Sequence, residues 1–191
     1  MENTRTITEY NRFIFILENI GETIKLNGCM AEIGIFWGGI SRILATTRPD
    51  SPFYACDGFI GLPKPTKHDT SGFIEGDFKD VSYEKVEKFL SDRPNIKLIK
   101  GLFPDKQLHQ EMFDKQFFFV HLDVDLYEST LLGLEFFYPR MVRGGVIVVD
   151  DSDLPGVKLA IKEFRVNKTV VLKNSGCGNA KLTFPTTFKN F

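Results

Sequence analysis

The chain has 191 residues, enough for about one domain of ordinary size. It is 42% hydrophobic, which excludes disorder over most of its length and allows a core without disulfide or metal staples. Lys plus Arg is 24 and Asp plus Glu is 25, a net charge of −1 that argues against a nucleic-acid or anionic-membrane surface as the main business.

In chain order, residues 7–25 read as a helix, with Tyr10, Phe13, Ile14 and Leu17 at helical spacing, inside an N-terminal helical segment 1–28. CMAEIGI (29–35) is a buried strand running into the Gly38-Gly39 turn, after which Ile40, Ile43 and Leu44 start a helix. PFYACD (52–57) is a second strand that ends in an acid and enters the turn-rich GFIGLPKP. Residues 60–80 show no clear period, and a loop this long inside a compact domain is usually functional, so 58–80 is expected to be an active-site loop. Residues 81–91 read as an amphipathic helix and IKLIKG (96–101) as a third strand. FFFVHLDVD (117–125) is a fourth strand with an acidic exit, and Tyr127, Leu131, Leu134 and Tyr138 place a helix directly after it. GGVIVVDD (144–151) is a fifth strand, again ending in acids. Val157, Ala160, Ile161 and Phe164 mark one more helix, and TVVL (169–172) and KLTF (181–184) form a terminal strand pair around Gly176 and Gly178.

Strands alternating with helices give a single α/β domain. Near-continuous apolar strands require a sheet covered on both faces, and ligands of such sheets sit at the carboxyl ends of the strands. This chain puts acids there repeatedly. HLDVDLYEST offers Asp123 and Asp125, two apart on one strand exit, and VVDDSD offers Asp150, Asp151 and Asp153. On neighbouring strands these carboxylates would crowd one crevice, and a hard divalent cation such as Mg²⁺, Ca²⁺ or Mn²⁺ relieves that repulsion. The plainer alternative is helix capping, by Asp125 or Ser129 for one helix and Asp151 or Asp153 for the next. Two acidic clusters ending consecutive apolar strands favour the metal or catalytic reading.

EIGIFWGGIS (32–41) is a strand, an acid and a Gly-rich turn opening a helix, which lets a ligand approach the backbone. It lacks the GxGxxG dinucleotide fingerprint. Glu32 suits an amine-bearing ligand, or else caps the backbone amides of the turn. Asp57 either accepts ribose hydroxyls or starts a turn before Gly58. Trp37 covers a ligand or packs. His68, His109 and His121 are scattered: His68 lies in the long loop, solvated or touching substrate, and His121 shares a sheet face with Asp123 as a packed or supporting histidine rather than a base. No GxSxG elbow and no Cys–His arrangement supplies an acyl-transfer nucleophile.

FVHLDVDLYESTLLGLEFFYPRMVRGGVIVVDD (119–151) and PGVKLAIKEF (155–164) closely resemble the macrocin O-methyltransferase-like family of S-adenosylmethionine-dependent sugar O-methyltransferases. EIGIFWGGIS resembles that family's E-x-G-x-x-x-G-G turn, CDGFIGLP (56–63) its second motif, and KGLFPD (100–105) a further segment. The resemblance implies a Rossmann-like class I methyltransferase fold: a mostly parallel sheet, a C-terminal antiparallel strand pair, and helices on both faces. It implies Mg²⁺ or another hard divalent cation on Asp123, Asp150 and Asp151, with Asp125 as general base. It implies S-adenosylmethionine held by Glu32, Gly34 and Gly38 of the turn, by Asp57 at the ribose and beside Asp123. Ser152 stands where the family often has Tyr, Phe36-Trp37 where it has Trp-Arg, and SGCGNAKLTFPTTF matches the family end poorly. The implied acceptor is a small-molecule sugar or glycosylated compound.

Three rival readings remain. A DxD phosphatase is disfavoured by Tyr127, a DxD glycosyltransferase by the short chain, and a non-catalytic binding protein by the retained repulsive acids. The 19 Phe leave apolar surface for a homo-oligomer. Cys29, Cys56 and Cys177 include no CxxC pair, so neither a disulfide framework nor a zinc site is expected. The polar start and the short apolar run at Phe13–Leu17 carry neither a signal-peptide core nor a membrane span, so a soluble cytoplasmic protein is expected.

Overall fold

The structure is a computed structural model that describes residues 6–103 and 110–185. His109 and the end of KGLFPD lie outside the described residues. The described elements are α1 (Tyr10–Thr23), β1 (Cys29–Ile33), α2 (Gly39–Thr47), β2 (Phe53–Asp57), α3 (Tyr83–Leu90), β3 (Ile96–Lys100), β4 (Phe117–Leu122), α4 (Tyr127–Phe137), β5 (Met141–Val149), α5 (Pro155–Phe164), β6 (Val171–Asn174) and β7 (Ala180–Thr183). A 3-10 turn at Tyr138–Arg140 joins α4 to β5.

The strands form one sheet in the order β3-β2-β1-β4-β5-β7-β6. The first five run parallel, and β7 enters antiparallel to both β5 and β6. The mostly parallel sheet with its C-terminal antiparallel pair is as the sequence pattern and the resemblance led one to expect. β1 and β4 are buried along their whole length, as central strands covered on both faces must be. β6 is a mostly exposed edge.

One face is covered by α1, α2 and α3, whose Ile16, Ile20, Leu44, Val86 and Leu90 pack on Met30, Phe53, Phe118 and Val148. The other is covered by α4 and α5, whose Leu134, Phe137, Ile161 and Phe164 pack on Ala31, Phe117, Val120 and Ile147. The sequence dictates this burial. In α1 the buried residues Ile16, Asn19, Ile20 and Thr23 fall at i, i+3, i+4 and i+7, one stripe of a helix. In β4 the pairing register shifts between Phe117 and Phe119, so Phe118 and Phe119 both face the α1 side. Truncating any one of these fully buried phenylalanines to Ala costs about 3–5 kcal/mol.

Most boundaries shift from expectation by a few residues, and two of the shifts have a visible cause or consequence. β5 begins at Met141 rather than 144, because Met141 pairs with Phe117 before the chain bends through Gly144 at φ 79°. β4 ends at Leu122 rather than 125, which changes how its acids are delivered. Among the described residues no helix is long and apolar enough to cross a membrane.

Candidate active site

Parallel pairing sets the site. Glu32 of β1 stands beside His121 of β4, and His121 beside Val148 of β5. Ile33, Leu122 and Val149 face α4 and α5, so the alternation of side chains turns Glu32 and His121 toward α1 and α2. The ladder continues one step past the strand ends. The Asp123 amide donates to the Ile33 carbonyl at 2.9 Å, and the Asp150 amide to the Leu122 carbonyl at 2.8 Å. The same alternation thereby brings Asp123 and Asp150 to the α1 face.

Asp125 and Asp151 arrive differently. Both have left-handed backbone, at φ 58° and 49°. Asp123 and Asp125 are therefore not two residues on one strand exit, which corrects the sequence expectation: the strand period stops at Leu122, and a tight turn, with the Leu126 amide 2.6 Å from the Val124 carbonyl, aims Asp125. Helix capping is not what these acids do either. The N-cap residues of α4 and α5 are Leu126 and Leu154, and neither makes a side-chain cap.

The ligand atoms of His121, Asp123 and Asp150 lie within 4.8 Å of one another, as do those of Asp123, Asp125 and Asp151. Burial, then the facing charges of Asp150 and Asp125, pushes the Asp123 carboxyl well above the usual range. Burial, then the adjacent Asp151, pushes Asp125 up to about 8. Two groups missed by the sequence reading answer this negative charge. Arg12 of α1 donates from Nη1 to Asp150 Oδ1 at 2.8 Å and to Asp151 Oδ1 at 2.5 Å. Asn179, ahead of β7, donates from Nδ2 to the same Asp150 oxygen at 3.0 Å. Arg12 lies four residues before Ile16, on the buried stripe of α1, and a charge on an apolar stripe was the available signal.

Behind the acids Glu32 is 1% exposed. Its carboxylate accepts from Ser41 Oγ of α2 and pairs at 2.9 Å with His121 Nδ1. Neither capping of amides nor an open ligand contact describes Glu32; it ties β1, β4 and α2 together. Burial works against the His121 imidazolium, but the Glu32 bond and the nearby acids raise its pKa above the ordinary value. His121 Nε2 is buried without a hydrogen-bond partner.

A cavity of about 310 Å³ opens over the strand ends. Gly34, Asp57, Asp123, Asp125, Asp150 and Asp151 line it, whereas Glu32 and Gly38 do not. Gly38, at φ 77°, faces Val86 and Leu90 of α3. Trp37 packs edge-on against Phe36 with ring centres 5.7 Å apart. Asp57 accepts the Phe36 amide at 3.0 Å and the Phe59 amide at 2.8 Å, so it fixes both turns beside the cavity. Burial pushes its carboxyl up, although the backbone amides oppose this. Phe36, Phe78, Asp125 and Asp151 are four of the six non-glycine residues with positive φ among those described, and all four line the cavity. Such strain, about 1–3 kcal/mol each, collects at functional sites.

The 58–80 stretch supplies Gly58, Gly61, Leu62, Pro63, Phe73 and Phe78 to the cavity wall. It is cross-braced by the Leu62 amide on the Asp77 carbonyl and the Gly76 amide on the Leu62 carbonyl, at 2.8 and 2.9 Å. Asp69 moors it. Its Oδ2 accepts from the Thr66 amide and hydroxyl, and its Oδ1 accepts the Tyr127 amide at 2.7 Å, at the N-terminus of α4. His68 lies against Tyr127, ring centres 4.6 Å apart. Asp69 carried no signal in a stretch without period.

The family model for macrocin-O-methyltransferase matches residues 11–173. The chain belongs to the macrocin-O-methyltransferase family. A curated relative, the 8-demethyl-8-(2,3-dimethoxy-alpha-L-rhamnosyl)-tetracenomycin-C 4'-O-methyltransferase of Streptomyces olivaceus, is 24% identical over 163 residues. The match covers 75% of this chain and 61% of that relative, so the chain spans less than two thirds of the relative's length. Among solved structures, the O-methyltransferase NovP superposes with a TM-score of 0.82 at 22% identity, covering 96% of this chain and 83% of NovP. The calicheamicin methyltransferase CalS11 gives 0.77 at 18% identity, covering 90% of this chain and 77% of CalS11. A macrocin-O-methyltransferase family chain with these neighbours has the class I methyltransferase fold.

Proposed function

We propose that this protein transfers a methyl group from S-adenosylmethionine to a hydroxyl of a sugar or glycosylated small molecule, with a hard divalent cation beside the acceptor. The observation that supports this reading is the convergence of Asp123, Asp125, Asp150 and Asp151 on one cavity that Gly34 and Asp57 also line. The curated relative is named for a rhamnosyl compound and a solved neighbour as a TDP-rhamnose 3'-O-methyltransferase, which points the same way. The fit to a cation rests on the donor set. Carboxylate oxygens within 4.8 Å of one another are donors that Mg²⁺ or Mn²⁺ takes, and the buried His121 Nε2 beside two of them has no other partner.

Asp123, Asp150 and Asp151 would hold the cation, and Asn179 and the Asp151 amide orient Asp150 through its Oδ1. When bound, the cation supplies charge stabilisation to an acceptor oxygen that is losing its proton. Gly34 opens the backbone to the methionine part of the donor, with Glu32 acting through the turn and Gly38 by packing it on α3. Asp57 serves the ribose while bracing residues 36 and 59. Asp125 is the proton acceptor: it lines the cavity two residues beyond Asp123 and is aimed inward by its left-handed backbone. As the acceptor oxygen bonds to the methyl carbon, the carbon–sulfur bond breaks, the sulfur leaves neutral, and the hydroxyl proton passes to Asp125. The 58–80 stretch screens the reacting atoms from water. Three free cysteines fit a reducing compartment such as the cytoplasm.

The test is Asp125→Asn, assayed for methyl transfer to a panel of glycosides and for donor binding by calorimetry. The expected result is a fall in turnover of about 10²–10⁴ with donor affinity retained. Wild-type turnover in the variant would overturn the assignment of the base.

A further inference from the structure

We propose that Arg12 occupies the cation's seat in the metal-free protein and is expelled when a divalent cation binds. This rests on the reading of Asp123, Asp150 and Asp151 as the cation site. Arg12 reaches the acids from the far end of the chain, 138 positions before Asp150. It lies on the buried stripe of α1, and its place against the β6–β7 loop is shaped for it. A Cβ at Gly178 would stand 2.6 Å from Arg12 Nη2 and 2.8 Å from the guanidinium carbon, so the bare glycine backbone lets the guanidinium lie close against the loop.

The bonding in that seat is incomplete. One nitrogen, Nη1, serves both Asp150 Oδ1 and Asp151 Oδ1, while Nε is buried with no partner. A guanidinium placed for good would present its fork to a carboxylate with two parallel bonds, and a buried donor left unmatched weakens its hold. The side chain is therefore held by charge more than by geometry, which is what an exchangeable occupant needs. A dication drawn to the same two oxygens meets Arg12 as a like charge at contact distance, so the two exclude one another.

Exclusion couples the cation to the N-terminal wall of the cleft. Ile7, Thr8, Glu9 and Arg12 all line the cavity, so withdrawal of Arg12 alters that wall. Arg12 is thus a positioning residue. It keeps the acids from repelling one another until the cation arrives, and it lowers the apparent cation affinity by the fraction of molecules in which it is seated.

The experiment follows the Arg12 Nε–H resonance of the ¹³C,¹⁵N-labelled 191-residue chain through a Mg²⁺ titration, assigned by through-bond correlation to the Arg12 backbone amide. Mn²⁺ binding to wild type and to Arg12→Gln is measured by calorimetry. Mg²⁺ should move this protected signal to the position and fast exchange of a solvated arginine, and Arg12→Gln should bind Mn²⁺ at least about tenfold more tightly than wild type. An Arg12 signal unchanged at saturating Mg²⁺ overturns the proposal by showing joint occupancy, and it does so with wild-type protein even if the variant fails to fold. Equal or weaker Mn²⁺ binding by a folded Arg12→Gln also overturns it. If neither protein binds Mn²⁺ or Mg²⁺, the cation site itself is wrong, and the proposal falls with it.

Discussion

Gly34 is packed backbone to backbone on Asp123: a Cβ at Gly34 would stand 1.7 Å from the Asp123 carbonyl oxygen. Gly34 also has φ 84°, so the turn at the cavity wall and the strand end that carries the first acid share one glycine. Gly34→Ala should cost more than about 3 kcal/mol, the sum of backbone strain and an unrelievable clash. Gly72, at φ 87° with nothing within 4 Å, is the control; Gly72→Ala should cost only about 1 kcal/mol. Denaturant midpoints of the two variants check this, and equal losses would show that the Asp123 contact is unimportant.

Asp57 braces residues 36 and 59 with a half-buried carboxylate. Asp57→Asn keeps one acceptor oxygen and loses the charge, so S-adenosylmethionine binding measured by calorimetry should weaken about tenfold to a hundredfold. Its pH signature has a defined sign. The folded state holds the Asp57 proton more tightly than the unfolded chain does. Its contribution to stability is therefore full below the unfolded value, about 3.9, and is lost as pH rises through the raised folded value. Relative to Asp57→Asn, the wild type should lose stability as pH rises upward from about 4. Parallel stability curves for the two proteins would contradict this.

The mooring of the 58–80 stretch is tested at both ends of one contact. Asp69→Ala removes the acceptor for the Tyr127 amide, and Gly156→Ala drives a methyl group to 2.2 Å from the same Asp69 oxygen. Each should raise the acceptor KM about tenfold with a smaller change in kcat, and the double variant should be no worse than either single one. Additive effects would show that Gly156 acts elsewhere.

Thiol accessibility should separate the cysteines. Cys29 and Cys56 are buried, and burial pushes both thiols up, whereas Cys177 is only half-buried. A thiol-specific reagent at pH 8 should label one residue quickly and the other two only after unfolding, and Cys177→Ser should remove the fast phase. Three thiols reacting together would mean that the sheet is not closed around β1 and β2.

Much of the fold was legible because it rests on local periodicity. Strands β1, β2 and β4 are apolar runs, and the helices announce themselves by their buried stripes. The acids of the site were legible as well, since Asp123, Asp150 and Asp151 break those runs at their carboxyl ends. What stayed hidden depends on distance along the chain or on backbone conformation. Arg12, Asn179 and Asp69 meet their partners only after the sheet has assembled. The left-handed turn at Asp125 leaves no trace in composition, so its side chain was assigned to a strand face it does not share. Glu32 was recognised as unusual, but its partner Ser41 sits on a helix whose packing angle no spacing rule supplies.

On our proposal the acids after β4 and β5 form a cation-assisted methyl-transfer site. Transfer of label from methyl-labelled S-adenosylmethionine to a glycoside panel, in chelator and after Mg²⁺ is restored, tests it most directly. Turnover should vanish in chelator, return with Mg²⁺, and fail to return in Asp150→Ala. Undiminished methylation in chelator by wild-type protein would contradict it.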